Sequence, residues 1–272
     1  MNIFENFIYS MQGIMETPGN YGVFHLVSVA VAIALTVILC VFFKNASNKT
    51  FRIIAGIAWA AMLILEISKQ LVYSFNFDGN VVSWSYRWHA FPFQLCSTPI
   101  YVLPFVIFLK EGKIRDAAMS FVSTFAFVGG LVVFIYPNDV FTEYTLINIQ
   151  TMVHHGLQLV LAIFFMVYNR RNLNFKYFLR GIYFFAVTFV LANIFNLSFN
   201  TISNSSINMF FVSPYVATTL PILSQAYAML PFWAYLIVFF IGFIFAAYLV
   251  YIIMYGLIRL FSINKKRLNQ NA

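Results

Sequence analysis

Residues 22–43 read GVFHLVSVAVAIALTVILCVFF and run without a charge into KNASNKTFR, where Lys44, Lys49 and Arg52 cluster. A helix of that length, at ~1.5 Å per residue, crosses the ~30 Å hydrocarbon core of a bilayer. In lipid the backbone N–H and C=O groups must be satisfied within the segment, so the run reads as a transmembrane helix. The rest of the chain repeats the pattern, with apolar runs at about 51–75, 92–109, 117–136, 149–168, 181–199 and 231–257.

The basic residues orient these runs. Lys110, Lys113 and Arg115 follow the third run, Arg170, Arg171, Lys176 and Arg180 follow the fifth, and Arg259, Lys265, Lys266 and Arg267 end the chain. Together with the first cluster, fourteen of the sixteen basic residues fall on one side. Glu5, Glu16, Asp78, Asp139 and Glu143 fall on the other. The expected fold class is therefore an all-α polytopic membrane protein of seven transmembrane helices. Its N-terminus is outside and its C-terminus inside. Residues 1–272 form a single membrane domain of a multi-pass protein in the cell membrane. Residues 200–230 begin with a polar stretch and are then interrupted by Pro214 and Pro221. They are expected to form a re-entrant or interfacial segment that caps the outer face before the last helix.

Composition agrees. The chain is 62% apolar and 9% charged, with 34 phenylalanines, against ~25% charged in a typical soluble domain. This excludes a soluble globular enzyme, a disordered chain and a nucleic-acid-binding domain, so the +8 charge is expected to meet membrane lipids rather than nucleic acid. The first 20 residues lack a basic signal-peptide n-region and carry Glu5 and Glu16, so the first helix is expected to direct insertion. Cys40 and Cys96 belong to opposite halves of the bilayer and cannot pair. No cofactor and no metal are expected, because adjacent His154 and His155 diverge by about 100° on a helix and suit one ion poorly.

Polar groups within spans are costly, so their depth is informative. Counted from the helix ends at ~1.5 Å per residue, Cys96 lies roughly 6 Å and His154 and His155 roughly 8 Å below the outer surface. Glu66 and Asn196 lie at about the same level. A thiol and an imidazole at one depth can act as nucleophile and general base. Asn193, Asn196 or Gln94 can donate to an oxyanion. Glu66 can orient a histidine or simply pair with Lys69 at i,i+3, and the two asparagines can serve as interhelical hydrogen-bonding residues. Pro99 cannot donate to the Leu95 carbonyl, which frees an acceptor beside Cys96.

Several of these residues carry a resemblance. FPFQLCS (91–97) resembles the LPLxLCS pattern at the start of the third span of YwaF-type bacterial integral membrane proteins. HGL (155–157), after Val153 and His154, is similar to that family's span-five histidine. NMFF (208–211), Pro214 and LPFWAY (230–235) are similar to its NYMFL…P…GPWPWY region. Gln94 stands where that pattern often has His or Glu, and Met209 where it has Tyr. The likeness extends to the eukaryotic transmembrane protein 164 group of phospholipid acyltransferases, which use a Cys–His acyl-enzyme. It implies Cys96 as nucleophile and His155 as base, with His154 the less favoured base, and a lipid acyl donor and acceptor as partners. A lipid acyltransferase or acyl hydrolase at the outer leaflet is the leading expectation. The alternative is a non-enzymatic transporter or a receptor-like ligand-binding protein. A transporter should carry polar groups through both halves of the membrane, whereas here they stop in the outer half.

Overall fold

A computed structural model describes residues 1–79, 81–137 and 140–270, with side chains described through residue 260. Asp139 lies outside the described residues, as do the side chains of Lys265, Lys266 and Arg267. The chain runs through α1 (Ile3–Met11), α2 (Val23–Phe42), α3 (Asn48–Ser74), a hairpin of β1 (Phe75–Asp78) and β2 (Val81–Trp84), and α4 (Pro99–Phe108). It continues through α5 (Lys113–Phe121), a π-helical turn (Val122–Ala126), α6 (Phe127–Ile135), α7 (Thr145–Tyr168), α8 (Phe175–Ser198), α9 (Leu223–Met229) and α10 (Phe232–Gln270). Among the described residues, α2, α3, the continuous α5–α6 segment, α7, α8 and α10 are long and apolar enough to cross a membrane.

Successive long helices alternate between two ends of the bundle. At one end the basic turns meet. Arg170 donates to Lys44 O at 2.7 Å and also bonds the Asn45 side chain. Arg52 donates to Leu109 O at 2.5 Å, and Arg115 to Asn48 Oδ1 at 2.7 Å. At the other end α1, closed by an Asn2–Glu5 capping box, lies against the hairpin end of α3. There Gln12 Nε2 donates to Val72 O at 2.9 Å and Phe75 O at 2.7 Å. Met15 N donates to Glu143 O at 2.8 Å. The hairpin pairs antiparallel, from Phe75 opposite Trp84 to Asp78 opposite Val81. Neither α1 nor this hairpin was expected from the sequence.

The expected third span, 92–109, is helical only over Pro99–Phe108. Two prolines explain the difference. Each disfavours helical backbone in the residue before it, and Pro99 lacks the N–H a continuing helix needs, so it sits where proline is tolerated, in the first helical turn. The carbonyl that Pro99 frees, Leu95 O, is taken by the Thr98 hydroxyl at 2.6 Å. Ten helical residues reach ~15 Å, half a bilayer. Before it comes the turn at 91–98, whose irregular backbone needs protein around it in an apolar medium. Phe93, Leu95, Ser97 and Thr98 are buried accordingly.

Helix α7 and the α5–α6 segment form the centre, each 67% buried across its most apolar stretch, against 11% for α2 and 17% for α10. Toward the basic end the interior is aromatic: Phe51, Phe121, Phe125, Phe164, Phe165 and Phe185 are fully buried. The π turn follows from Ser123 and Thr124, whose hydroxyls bond back to Met119 O and Ser120 O at 2.7 Å each. Gly181 allows α8 to approach α5 closely, since a Cβ there would stand 2.7 Å from Ser120 Oγ.

The 200–230 segment divides in two. Residues 207–213 enter the bundle, with Ile207, Met209, Val212 and Ser213 fully buried. Phe210 and Phe211 take left-handed backbone, φ 55° and 59°, which non-glycine residues hold only when neighbours enforce it. Tyr235 Oη donates to Phe211 O at 2.7 Å, and Tyr227 Oη to Ser213 O at 3.2 Å. Helix α9 then emerges with none of its residues buried.

Candidate functional site

Helix α7 sets the site. Gln150, His154 and Gln158 recur every four residues and share a face, with Thr151 and His155 one residue further round. All five are buried. His154 stands nine residues beyond Thr145, about 14 Å into the helix. This is deeper than the apolar count suggests, because α7 begins four residues before the expected span.

The Cys96 turn packs on this face. His154 Nε2 donates to Cys96 O at 2.9 Å, and Gln158 Nε2 donates to the same oxygen. A carbonyl accepts only, so the bond fixes His154 with its proton on Nε2 and leaves Nδ1 as a lone pair. His155 holds the opposite tautomer: Nδ1 donates to Thr151 O at 2.7 Å, leaving Nε2 as a lone pair. His154 Nδ1, His155 Nε2 and Gln158 Oε1 are buried with no hydrogen-bond partner. Three open acceptors thus lie on the α7 face that carries the Cys96 turn, where buried polar groups are ordinarily paired. Gly129 lies against this turn, its Cβ position 3.5 Å from Cys96 Cα, at ordinary contact distance.

The Cys96 thiol is not bonded to either imidazole, since both open ring nitrogens lack a partner. Cys96 is half-buried.

Glu66 belongs to a second network directly above. Its carboxylate accepts from Lys69 Nζ at 2.7 Å, from Gln70 Nε2 at 2.7 Å and from Gln150 Nε2 at 3.1 Å. It touches neither histidine, so of its two expected roles the ion pair is the one the geometry realises. Gln70 extends the chain of bonds to Ala90 O at 2.7 Å and accepts from Tyr86 Oη at 3.0 Å. Beyond it lies a hollow of about 210 Å³ whose walls include Tyr73, Arg87, His89 and Tyr144. There burial, with the Arg87 and Lys69 charges, holds the His89 imidazole below its ordinary pKa. Cys96 does not line this hollow.

The remaining expected residues hold the cap. Gln94 Nε2 donates to Asn208 O at 2.7 Å and its Oε1 accepts from Phe210 N at 2.8 Å. Asn196 grips Met209 in the same way, donating to its carbonyl at 3.0 Å and accepting from its N–H at 2.7 Å. Each amide thus spends its oxygen and one of its two N–H donors on the capping segment. Asn193 is not brought to the site: its Nδ2 bonds Phe189 O of its own helix at 2.9 Å.

The model of the TMEM164 family matches residues 20–255, which include every residue of this polar layer. The chain belongs to the TMEM164 family. No curated protein and no solved structure matches it. In this TMEM164-family chain the residues that the sequence reading missed are Gln150 and Gln158. The four-residue spacing of Gln150, His154 and Gln158 was their signal, and it is visible in QTMVHHGLQ (150–158). Among the described residues no group of three His, Cys, Asp or Glu side chains could hold a metal ion.

Proposed function

We propose that this chain is a Cys/His lipid acyltransferase or acyl hydrolase acting near the outer leaflet, with Cys96 as nucleophile and His155 as base. The observation that carries the reading is the tautomer pair on α7. His154 and Gln158 spend their protons on the Cys96 carbonyl and fix the turn, while His155 keeps a buried Nε2 lone pair with nothing bound to it. Family membership supports the same assignment, as does the likeness of FPFQLCS (91–97) to the YwaF-type pattern.

In the proposed reaction His155 Nε2 takes the thiol proton, and the sulfur attacks the ester carbonyl of a membrane lipid. The tetrahedral adduct collapses, the carbon–oxygen ester bond breaks, and the leaving alcohol receives the proton from His155. An acyl thioester remains on Cys96. A lysolipid hydroxyl or water then gives its proton to His155 and attacks the thioester; the carbon–sulfur bond breaks, and the departing thiolate takes that proton back from His155. The absent Cys96–His155 contact is compatible with this sequence, because catalytic hydrogen bonds in unliganded enzymes are often loose and tighten with substrate. A reading as transporter is less well supported, since the buried side toward the basic end is a phenylalanine core rather than a polar path.

The same reading places the chain in the cell membrane, crossing it seven times: six long helices, with the 91–98 turn and α4 together making the third passage. The N-terminus lies outside, because the basic turns gather at one end.

The test is acyl release from, and transfer between, fluorescent phospholipids by the purified protein in nanodiscs. Activity is expected in the wild type, is abolished by Cys96→Ala and falls about 10²–10⁴-fold in His155→Ala. Substrate flux without acyl chemistry that survives Cys96→Ala would instead establish the transport reading.

A further inference from the structure

A second hollow lies at the basic end, away from Cys96. It measures about 470 Å³, within the ~300–1,000 Å³ of small-molecule sites. Helices α5 and α8 form its walls. Lys113, Lys176 and Arg180 supply cations, and Ala117, Leu179, Tyr183 and Phe184 supply an apolar slope. The tight contact of Gly181 with Ser120 closes the gap between the helices just beyond Arg180.

Two features make the hollow electropositive, and a third makes one side of it apolar. First, both helices start here: Lys113 opens α5 and Lys176 is the second residue of α8, so two positive helix ends face the same space. No side chain caps α5. Second, Asp116 neutralises Arg180 through a 2.5 Å bond, but the salt bridges among the described residues include neither Lys113 nor Lys176. Third, Leu179 and Tyr183 are exposed on the outward surface, at 40% and 72%. An apolar surface of this kind in a membrane protein meets acyl chains. A free anion would use the cations and leave that slope unused, whereas a lipid uses both.

We infer that this hollow binds an anionic phospholipid, with the headgroup phosphate between Lys113, Lys176 and the α5 and α8 N-termini and one acyl chain along Tyr183 and Phe184. Basic recesses between membrane helices suit this chemistry. On the orientation proposed above, the lipid belongs to the inner leaflet. The inference is independent of the acyl chemistry at Cys96.

The experiment measures binding of a fluorescent phosphatidylglycerol to the full-length protein in detergent, with unlabelled lipids as competitors. Saturable binding is expected, displaced by phosphatidylglycerol but not by phosphatidylcholine or inorganic phosphate. The double variant Lys113→Gln, Lys176→Gln should weaken it about tenfold or more. The control Lys44→Gln, Lys49→Gln removes the same charge from the same end outside the hollow and should leave binding within about twofold. Cys96→Ala should also bind normally, which separates this site from the proposed reaction. Equal competition by phosphatidylcholine, equal competition by phosphate, or equal loss in the two double variants would each overturn the inference.

Discussion

At the scale of single residues, the two neighbouring histidines differ because their protons are committed to different carbonyls. His154 holds the Cys96 turn, so His154→Ala should lower thermal stability by about 1 kcal/mol and leave the thiol misplaced. His155 holds only its own helix, so His155→Ala should lose less stability than His154→Ala, the cost of a cavity alone, while losing acyl transfer. Thermal unfolding in detergent beside the activity assay distinguishes them, and equal loss of stability in both variants would remove the division of roles. Cys96, His154 and His155 were legible in the sequence because polar groups in a span stand out against apolar neighbours. Gln158 was not singled out, because a glutamine near the middle of a helix carries no depth signal until its four-residue spacing from His154 is considered. Glu66 and Lys69 were legible as a pair at i,i+3, and the bond at 2.7 Å is that pair.

At the scale of elements, the capping segment and the α5–α8 contact each depend on a small number of groups. Asn196 satisfies both backbone groups of Met209. Asn196→Leu would leave two buried backbone groups open, at ~1–3 kcal/mol each, and release the strained Phe210–Phe211 backbone. Limited proteolysis should then cut within 199–222 several-fold faster than in the wild type, and unchanged cleavage would contradict the clamp. Gly181→Ala would drive a methyl to 2.7 Å from Ser120 Oγ and 3.1 Å from Phe121 N. Helices α5 and α8 would have to separate, and the melting temperature in detergent should fall by several degrees. The sequence indicated long helices well, because twenty apolar residues in lipid have few alternatives. Counting apolar residues failed at 92–109, since Pro92 and Pro99 interrupt the backbone without reducing hydrophobicity. It also set α7 to begin too late, because Asn148 looks like a loop residue and is in fact buried. The hairpin over 75–84 carries no strong period-two pattern and was missed.

At the scale of the whole molecule, the charge asymmetry and the interior polarity describe one arrangement. The basic turns meet at one end, an aromatic core fills the adjacent half, and the buried Cys–His–Gln layer lies toward the other end. Single cysteines introduced at Asn172 and at Asp78, in a background without Cys40 and Cys96, test the orientation. An impermeant maleimide added to intact cells should label the Asp78 position and spare the Asn172 position, and the opposite pattern would invert the topology. The central claim concerns a covalent bond, so the most direct measurement is the intact mass of the purified protein after incubation with a phospholipid of defined chains. The expected result is a wild-type adduct of one acyl chain, released by hydroxylamine and mapped to Cys96, that is absent from Cys96→Ala and strongly reduced in His155→Ala. An adduct that persists in Cys96→Ala, or a wild type that turns over lipid without passing through one, would contradict it.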